Sequence, residues 1–441
     1  MAETARAPIG HARVLKIALP IVLANATVPI LGAVDTGVIG QLGQAAPIGA
    51  VGIGAIVLTS IYWLFGFLRM GTTGLTAQAL GAGEQGEMRA LLMRALMMGG
   101  AAGLGLILLQ APLLWAAFAI APASADVETL ARAYIGIRIW SAPAAIALYG
   151  ITGWLIALER TRAVLALQLW MNGLNIGLDL WFVLGLGWGV EGVALATFLA
   201  EWSGLAAGLF LCREGLAGGA WRAWGRVFDL VRLRRMLTVN GDILIRSVLL
   251  QAAFVSFLFL GAGLGDVTLA ANQVLLQFLQ ISAYALDGFA FAAEALVGQA
   301  LGARSRARLR RAALLTSGWG VLIVLALAVA FALAGGRIIE LMTTSTEVRA
   351  EARAYLGWMV AAPLIGVASW MLDGIFIGAT RTGDMRNAMI VSTLIYALAV
   401  WLLLPLGNHG LWAALMVLFV ARAVTLALRY PALESRADRA G

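Results

Sequence analysis

Residues 15–40 read LKIALPIVLANATVPILGAVDTGVIG, a stretch whose ionisable side chains are Lys16 near its start and Asp35 near its end. A membrane-spanning helix needs about 20 mainly apolar residues. The stretch is long enough to cross a bilayer, and it exceeds the apolar core of a cleavable signal peptide, which has about 7–15 residues. It therefore predicts a first membrane-spanning helix with an acidic residue at membrane depth.

The rest of the chain has the same apolar character. Of its 441 residues, 61% are hydrophobic and 12% are charged, and its mean hydropathy is +0.90. Soluble domains are about 45–50% apolar and about 25% charged, so a bilayer must cover this much apolar surface. Apolar runs predict twelve spans, at residues 15–40, 49–82, 91–112, 131–157, 163–185, 190–212, 236–261, 268–301, 311–333, 352–379, 387–405 and 409–429.

The basic residues fix an orientation. With the N-terminus inside, the cytoplasmic connections hold 23 Arg and Lys residues, and the outer ones hold five, namely Arg132, Arg138, Arg337, Arg349 and Arg353. The positive-inside rule then predicts a bacterial inner-membrane protein with both termini in the cytoplasm. The net charge of +8 is spread between apolar runs, which argues against nucleic-acid binding.

Several function classes lack their required residues. Lys16 is the only lysine and lies in Leu-Lys-Ile, so the chain has no phosphate-binding loop of the Walker A type. Cys212 is the only cysteine, and His11 and His409 lie near segment ends, so we expect neither a disulfide nor a metal centre. With no compact nucleophile or acid–base constellation, we expect no enzyme and no cofactor.

The two halves of the chain repeat each other with an offset of 221 residues. Gln78-Ala-Leu-Gly81 recurs as Gln299-Ala-Leu-Gly302, and Ala131-Arg-Ala-Tyr134 recurs as Ala352-Arg-Ala-Tyr355. Each half holds six predicted spans, and an even number gives both halves the same orientation. The repeat could build a scaffold only, but we favour a transporter with a substrate cleft between its lobes.

The predicted fold is therefore an all-α integral membrane protein of twelve transmembrane helices in two parallel-repeat six-helix lobes. Residues 1–212 form the first lobe and residues 236–441 the second. Residues 213–235 mix aromatic and aliphatic side chains with arginines, which predicts an amphipathic helix in the cytoplasmic interface that links the lobes.

Ionisable and polar side chains at membrane depth mark candidate functional sites. In the first half these are Asp35, Arg69, Asn172, Asn175, Asp179, Thr197 and Glu201. At a rise of about 1.5 Å per residue, Asp35 lies about 30 Å and Asp179 about 24 Å from the cytoplasmic ends of their spans. Both therefore fall in the outer half of the membrane. Asn175 and Asp179 share one helix face, as do Thr197 and Glu201.

This cluster suits cation coupling. A carboxylate in a medium of low dielectric constant can take up and release a proton near neutral pH. Carboxylate, Asn and Thr oxygens could instead bind Na⁺, and a network that only locks helices together is a third interpretation. Pro20 and Pro29 permit bends in the first span.

The second half also carries charges at membrane depth, namely Arg246, Asp287, Glu294 and Asp373. Arg246 could pair with any of the three acids, and we favour a structural ion pair. Asp287 and Asp373 could instead face the cleft and, with Arg246, form part of a site for a cationic substrate.

These residues resemble the multidrug and toxic compound extrusion (MATE) family, and in particular its DNA-damage-inducible protein F branch. The two Gln-Ala-Leu-Gly motifs resemble the family pattern after helices two and eight. The other matching stretches are Ala33-Val-Asp35-Thr36 with Gly40-Gln-Leu-Gly43, Asn175-Ile-Gly-Leu-Asp179-Leu-Trp-Phe-Val183, Gly189-Val-Glu-Gly192-Val-Ala-Leu-Ala-Thr197-Phe-Leu-Ala-Glu201 and Leu372-Asp-Gly-Ile-Phe-Ile-Gly378-Ala-Thr-Arg381-Thr.

The resemblance implies a monomer in the lipid bilayer that exports small amphipathic, often cationic, organic compounds by cation antiport. It places the coupling site on Asp35, Asn175, Asp179 and Thr197, where Na⁺ is the alternative ion, and the bend of the first span at Pro20. Tyr134, Asn172 and Glu201 are expected to support or gate this site.

Sodium-coupled relatives carry an acid in span 7 beside the acid of span 10. Here mid-span 7 offers Gln251 and Ser256, which favours protons. A lipid-linked oligosaccharide flippase is less favoured, because the intramembrane basic residues are Arg69, Arg246 and Arg422 only.

Overall fold

The computed structural model describes residues 7–41, 44–120, 124–217, 219 and 222–438, and this part of the chain is helical. Leu42 and Gly43 of the first-span motif, three linker residues (218, 220 and 221) and both termini lie outside the described residues. The first-half helices are α1 His11–Ala26, α2 Val28–Gly40, α3 Ala45–Leu64, α4 Gly66–Gly81, α5 Gln85–Leu108, α6 Gln110–Ile120, α7 Ala125–Arg138, α8 Ala142–Ala157, α9 Thr161–Asp179 and α10 Gly189–Leu211. They are followed by α11 Arg213–Leu216, α12 Trp224–Val227, α13 Leu230–Ala262, α14 Asp266–Gly302, α15 Arg306–Met342, α16 Thr346–Gly378, α17 Thr382–Leu403, α18 Asn408–Ala427 and α19 Tyr430–Arg436.

Eleven helical segments of the described chain are long and apolar enough to cross a membrane. They match all predicted spans except the fifth, and the all-helical membrane fold is thereby confirmed. The fifth is α9, which a π-helical segment extends over Leu180–Gly185. Its polar side chains (Gln168, Asn172, Asn175 and Asp179) make it the least apolar of the twelve, and the last three of them belong to the candidate site.

The helices divide into two compact units. The first-half unit comprises residues 23–76 and 84–235, and the second-half unit comprises residues up to Val22, Ala77–Gly83 and residues from Met236 onward. This division differs from the predicted lobes at two places. The start of the first span and the turn after α4 both group with the second half.

The repeated Gln-Ala-Leu-Gly motifs explain the second difference, because their two copies pack on each other inside the second-half unit. A Cβ atom on Gly81 would overlap the carbonyl of Gln299, and a Cβ atom on Gly302 would overlap that of Gln78. Only glycine allows backbones to approach so closely. The side chain of Gln78 also donates hydrogen bonds to the Gly378 carbonyl, at 3.1 Å, and to the Thr380 hydroxyl, at 2.9 Å.

The internal repeat is also visible in the backbone conformation. Gly83 and Arg304, which are 221 positions apart, have φ angles of +77° and +52°. Glu159 and Thr380, with the same offset, have φ angles of +59° and +50°. Matching turns with left-handed residues therefore follow corresponding helices of the two halves.

The predicted amphipathic helix over residues 213–235 is wrong. The chain there forms two helices of one turn, α11 and α12, and its last residues begin the long helix α13. Glycine interrupts the segment, and Gly219 has a φ angle of +73°. The Asp229 carboxylate caps α13 by accepting the backbone N–H of Arg232 at 3.0 Å, which holds the pKa of Asp229 below its usual value.

Each unit has a packed interior and apolar side chains on its surface. In the first-half unit, α5 approaches α8 so closely that a Cβ atom on Gly99 would lie 2.7 Å from the Cα of Ala147. Rings fill the second-half unit, where Phe257 and Trp412 have centroids 4.6 Å apart. Leu333 is 83% exposed, as expected for a surface in contact with lipid.

Candidate cation-coupling site

The first span is interrupted before it reaches Asp35. Helix α1 continues through Pro20, which is buried, and ends before Thr27. Pro29 stands in the first turn of α2 and offers no N–H to the preceding turn. The interruption therefore lies at Thr27 and not at Pro20, where the resemblance placed the bend. A role of Pro20 in coupling stays a prediction.

The carboxyl groups of Asp35 and Asp179 lie within hydrogen-bonding reach of each other. Asp35 is half-buried on α2, and Asp179 is fully buried at the end of α9. The structure thus brings together the two acids that the sequence placed at matching depth.

Several buried oxygens of this site accept no hydrogen bond from the described residues. They are Oδ1 of Asp35, both carboxylate oxygens of Asp179 and Oδ1 of Asn175. A proton on one carboxyl group would supply the O–H that lets it donate to the other. The oxygens are also suitable ligands for a hard cation.

The backbone around Asp179 is irregular. Asp179 is the last residue of α9, and the π-helical segment that follows carries the chain to a glycine turn. Gly187 and Gly189 there have φ angles of +72° and +58°. The turn returns the chain into α10, which brings Thr197 beside Asn175. Wide π turns are frequent at functional sites.

Amide and hydroxyl groups join the neighbouring helices. Asn175 donates to the Thr197 hydroxyl at 3.1 Å, which in turn donates to the Val193 carbonyl at 3.1 Å. One helix turn earlier, Asn172 donates to the Thr27 hydroxyl at 2.8 Å. The predicted polar residues of α9 therefore reach both α10 and the interruption of the first span.

Arg138 is the residue of this site that sequence reasoning missed. Its guanidinium is buried, donates to the Tyr134 hydroxyl at 3.0 Å and pairs with Glu201 at 2.8 Å. Ser141 also donates a hydrogen bond to Glu201. The charge of Arg138 acts on both Asp35 and Asp179. The orientation count assigns Arg138 to an outer segment, whereas its position within predicted span 131–157 is the sequence signal that it lies at membrane depth.

Three buried charged residues of the second half form one group. Asp373 is paired with both Arg246 and Arg422, and all three side chains are buried. Of the three acids that the sequence offers as partners of Arg246, the structure pairs it with Asp373. Asp287 is half-buried and Glu294 is buried elsewhere on α14. A part for Arg246, Asp287 and Asp373 in substrate binding stays a prediction.

A helical membrane protein built from two related halves, with ionisable groups buried in its spans, belongs to the class of secondary transporters. The MatE family model matches residues 20–181 and 243–402. The chain belongs to this family of multi-pass membrane transporters, and it is not an enzyme.

Curated proteins and solved structures agree with this assignment. DNA damage-inducible protein F of Escherichia coli K12 is 43% identical over 423 residues, which cover 93% of this chain and 90% of that protein. The probable multidrug resistance protein NorM of Rhodopseudomonas palustris is 27% identical, with coverages of 90% and 86%. The Vibrio cholerae MATE transporter VcmN in its bent form has the same fold, with a TM-score of 0.87, 20% identity and 99% coverage of both chains.

Proposed function

We propose that this chain is a proton-coupled antiporter that exports amphipathic, often cationic, organic compounds from the cytoplasm by alternating access. The contact between Asp35 and Asp179 carries the proposal. Two carboxylates in contact and shielded from water repel each other, so the pair favours holding one proton between them. Uptake and release of that proton would form the coupling step, with H⁺ as the coupling ion.

The surroundings of the pair suggest how the proton acts on a helix. Asp35 stands on α2 and Asp179 on α9, so a shared proton turns repulsion between these helices into attraction. The interruption at Thr27 separates α2 from α1. The side-chain amide of Asn172 on α9 donates a hydrogen bond to the Thr27 hydroxyl. Loss of the proton would drive α2 away from α9, with Thr27 as the hinge.

The substrate class comes from the relatives, some of which are named multidrug resistance proteins. Sodium coupling is the second candidate, because the buried oxygens of Asp35, Asn175 and Asp179 could serve as ligands. A lipid-linked oligosaccharide flippase is less favoured. Two of its three candidate intramembrane cations, Arg246 and Arg422, are already paired with Asp373.

The test is ethidium transport by proteoliposomes under an imposed pH gradient or an imposed Na⁺ gradient. We expect the pH gradient alone to drive transport. The double variant Asp35→Asn/Asp179→Asn should lower this flux to the level measured without a gradient, because neither side chain can then take up or release a proton. Asp126→Asn, an exposed acid at the start of α7 in the same unit, is the matched control and should keep the flux.

Full pH-driven transport by the double variant would contradict the proposal. Transport driven by the Na⁺ gradient alone, and lost in the same double variant, would assign the site to Na⁺ instead. Bound ethidium, measured by fluorescence polarisation on purified protein, separates loss of coupling from loss of substrate binding.

A further inference from the structure

A basic cavity lies in the second-half unit, away from the coupling site. It has a volume of about 880 Å³ and is lined by residues of the turn after α14, the first turns of α15 and the end of the chain beyond α18. Four arginines line it, namely Arg304, Arg306, Arg310 and Arg311, and all four are exposed. The positive-inside prediction places this end of the helices at the cytoplasmic surface.

The two acids of the cavity both engage Arg306. Its side chain pairs with Glu434 at 3.1 Å, and its backbone N–H donates to Asp438 at 3.2 Å. The charges of Arg306 and Glu434 therefore cancel, and the three positive charges of Arg304, Arg310 and Arg311 exceed the one negative charge of Asp438. The Arg311 guanidinium also donates to the Ile9 carbonyl at 2.5 Å. Arginine guanidinium groups bind phosphate oxygens through paired hydrogen bonds.

The wall of the cavity changes from basic to apolar in one helix turn. Leu314 and Leu315 follow Arg310 and Arg311 by four positions on α15, so each leucine lies on the same face as an arginine. Leu314 is 65% exposed. A surface that is cationic at the helix start and apolar one turn deeper matches an amphiphile better than a free inorganic anion.

Comparison of the two halves shows that the basic residues of the cavity do not simply result from the internal duplication. At the positions equivalent to Arg304, Arg306, Arg310 and Arg311, the first half has Gly83, Gln85, Arg89 and Ala90. Arg304 also adopts a φ angle of +52°, in the region that favours glycine, where its counterpart is glycine. The second half thus places an arginine at this turn against the conformational preference of the residue.

We propose that this cavity binds the phosphate headgroup of an anionic phospholipid, with the glycerol and upper acyl chains against Leu314 and Leu315. The ligand chemistry is a phosphate diester that carries apolar chains. Membrane-surface arginines contribute enough attraction to select such lipids over zwitterionic ones. This binding is independent of the proposed proton coupling.

Native mass spectrometry of the full-length protein in detergent tests the proposal, with phosphatidylglycerol, phosphatidylcholine and inorganic phosphate as the probes. We expect phosphatidylglycerol to bind preferentially. The double variant Arg304→Gly/Arg310→Gln should weaken its binding by about 25-fold, since each arginine contributes about a factor of five at a membrane surface. Glycine accepts the turn at position 304, so this variant should fold.

Arg89→Gln is the matched control, because Arg89 is the repeat counterpart of Arg310, and it should bind the lipid as the original protein does. Equal affinity of the double variant, or equal binding of phosphatidylcholine, would overturn the proposal. The proposal would also be overturned if inorganic phosphate displaced the lipid and its own binding depended equally on Arg304 and Arg310. That result would assign the cavity to free anions. Asp35→Asn/Asp179→Asn should leave lipid binding unchanged, so the two proposals fail separately.

Discussion

Arg138 carries a positive charge that acts on both acids of the candidate coupling site. Its guanidinium is held by Tyr134 and Glu201 and is close enough to attract the carboxylates of Asp35 and Asp179. Glu201 pairs with Arg138 and so balances its charge. In the proposed mechanism the two aspartates can then exchange a proton. Tyr134 and Glu201 both contact Arg138, and a supporting role of either residue in coupling stays a prediction.

The stability of variants at positions 138 and 201 tests the pairing of Arg138 with Glu201. Arg138→Gln leaves the Glu201 carboxylate, whose side chain is only 13% exposed, without its cation, which should cost about 3 kcal/mol. Arg138→Gln/Glu201→Gln removes both charges and should cost less than the single change. Thermal unfolding in detergent measures both. The exposed pair of Arg132 and Glu128 on the same helix is the control, with an expected coupling of about 0.2–1 kcal/mol. A double variant that costs as much as Arg138→Gln, or more, would contradict the pairing of Arg138 with Glu201.

The acids of the site could be predicted from the sequence because a carboxylate inside an apolar run is conspicuous. Asp35 and Asp179 each interrupt such a run, and helix geometry placed them at similar depths. Arg138 could not be placed in the same way, since a basic residue near the end of a span reads equally well as a loop residue. Its assignment depends on where Glu201 and Tyr134 lie in three dimensions, which helix periodicity within one span does not determine.

At the scale of elements, the packing of the two Gln-Ala-Leu-Gly motifs fixes where α4 and α14 end relative to each other. The sequence revealed that the motifs repeat but not that the copies meet. Repetition at a fixed offset gives equivalent positions, whereas contact between the copies depends on how the chain folds back. The prediction for the linker failed for a similar reason. Its residue pattern indicated an amphipathic helix, but its glycines interrupt the helical backbone.

Enlarging either glycine of this crossing should destabilise the second-half unit. In Gly81→Ala the new methyl group would overlap the Gln299 carbonyl, and Gly302→Ala would do the same at Gln78. Overpacking of this kind costs about 1–3 kcal/mol, so both variants should lower the Tm in detergent. Gly40→Ala is the control, because Gly40 also ends a helix but has open space beside its Cα. An unchanged Tm for Gly81→Ala and Gly302→Ala would mean that the motifs do not pack tightly.

At the scale of the whole molecule, the polar helix α9 determines the topology of everything after it. Hydropathy alone finds eleven spans in the described chain, of which five lie in the first half. An odd number of spans in the first half would put the two halves in opposite orientations. The arginines between α10 and α13 would then face outward, against the positive-inside rule. The parallel repeat therefore requires that residues 161–185 cross the membrane despite their polar side chains.

Cysteine labelling of the two ends of this helix tests the requirement. In a Cys212→Ala background, which removes the lone buried cysteine, Arg162→Cys and Leu186→Cys place exposed thiols at either end. A membrane-impermeant maleimide added to spheroplasts should label Leu186→Cys at once and Arg162→Cys only after permeabilisation. Glu340→Cys and Arg436→Cys serve as outer and inner controls. If both ends of α9 react from the same side, α9 does not cross, and Asp179 cannot carry protons between the two surfaces.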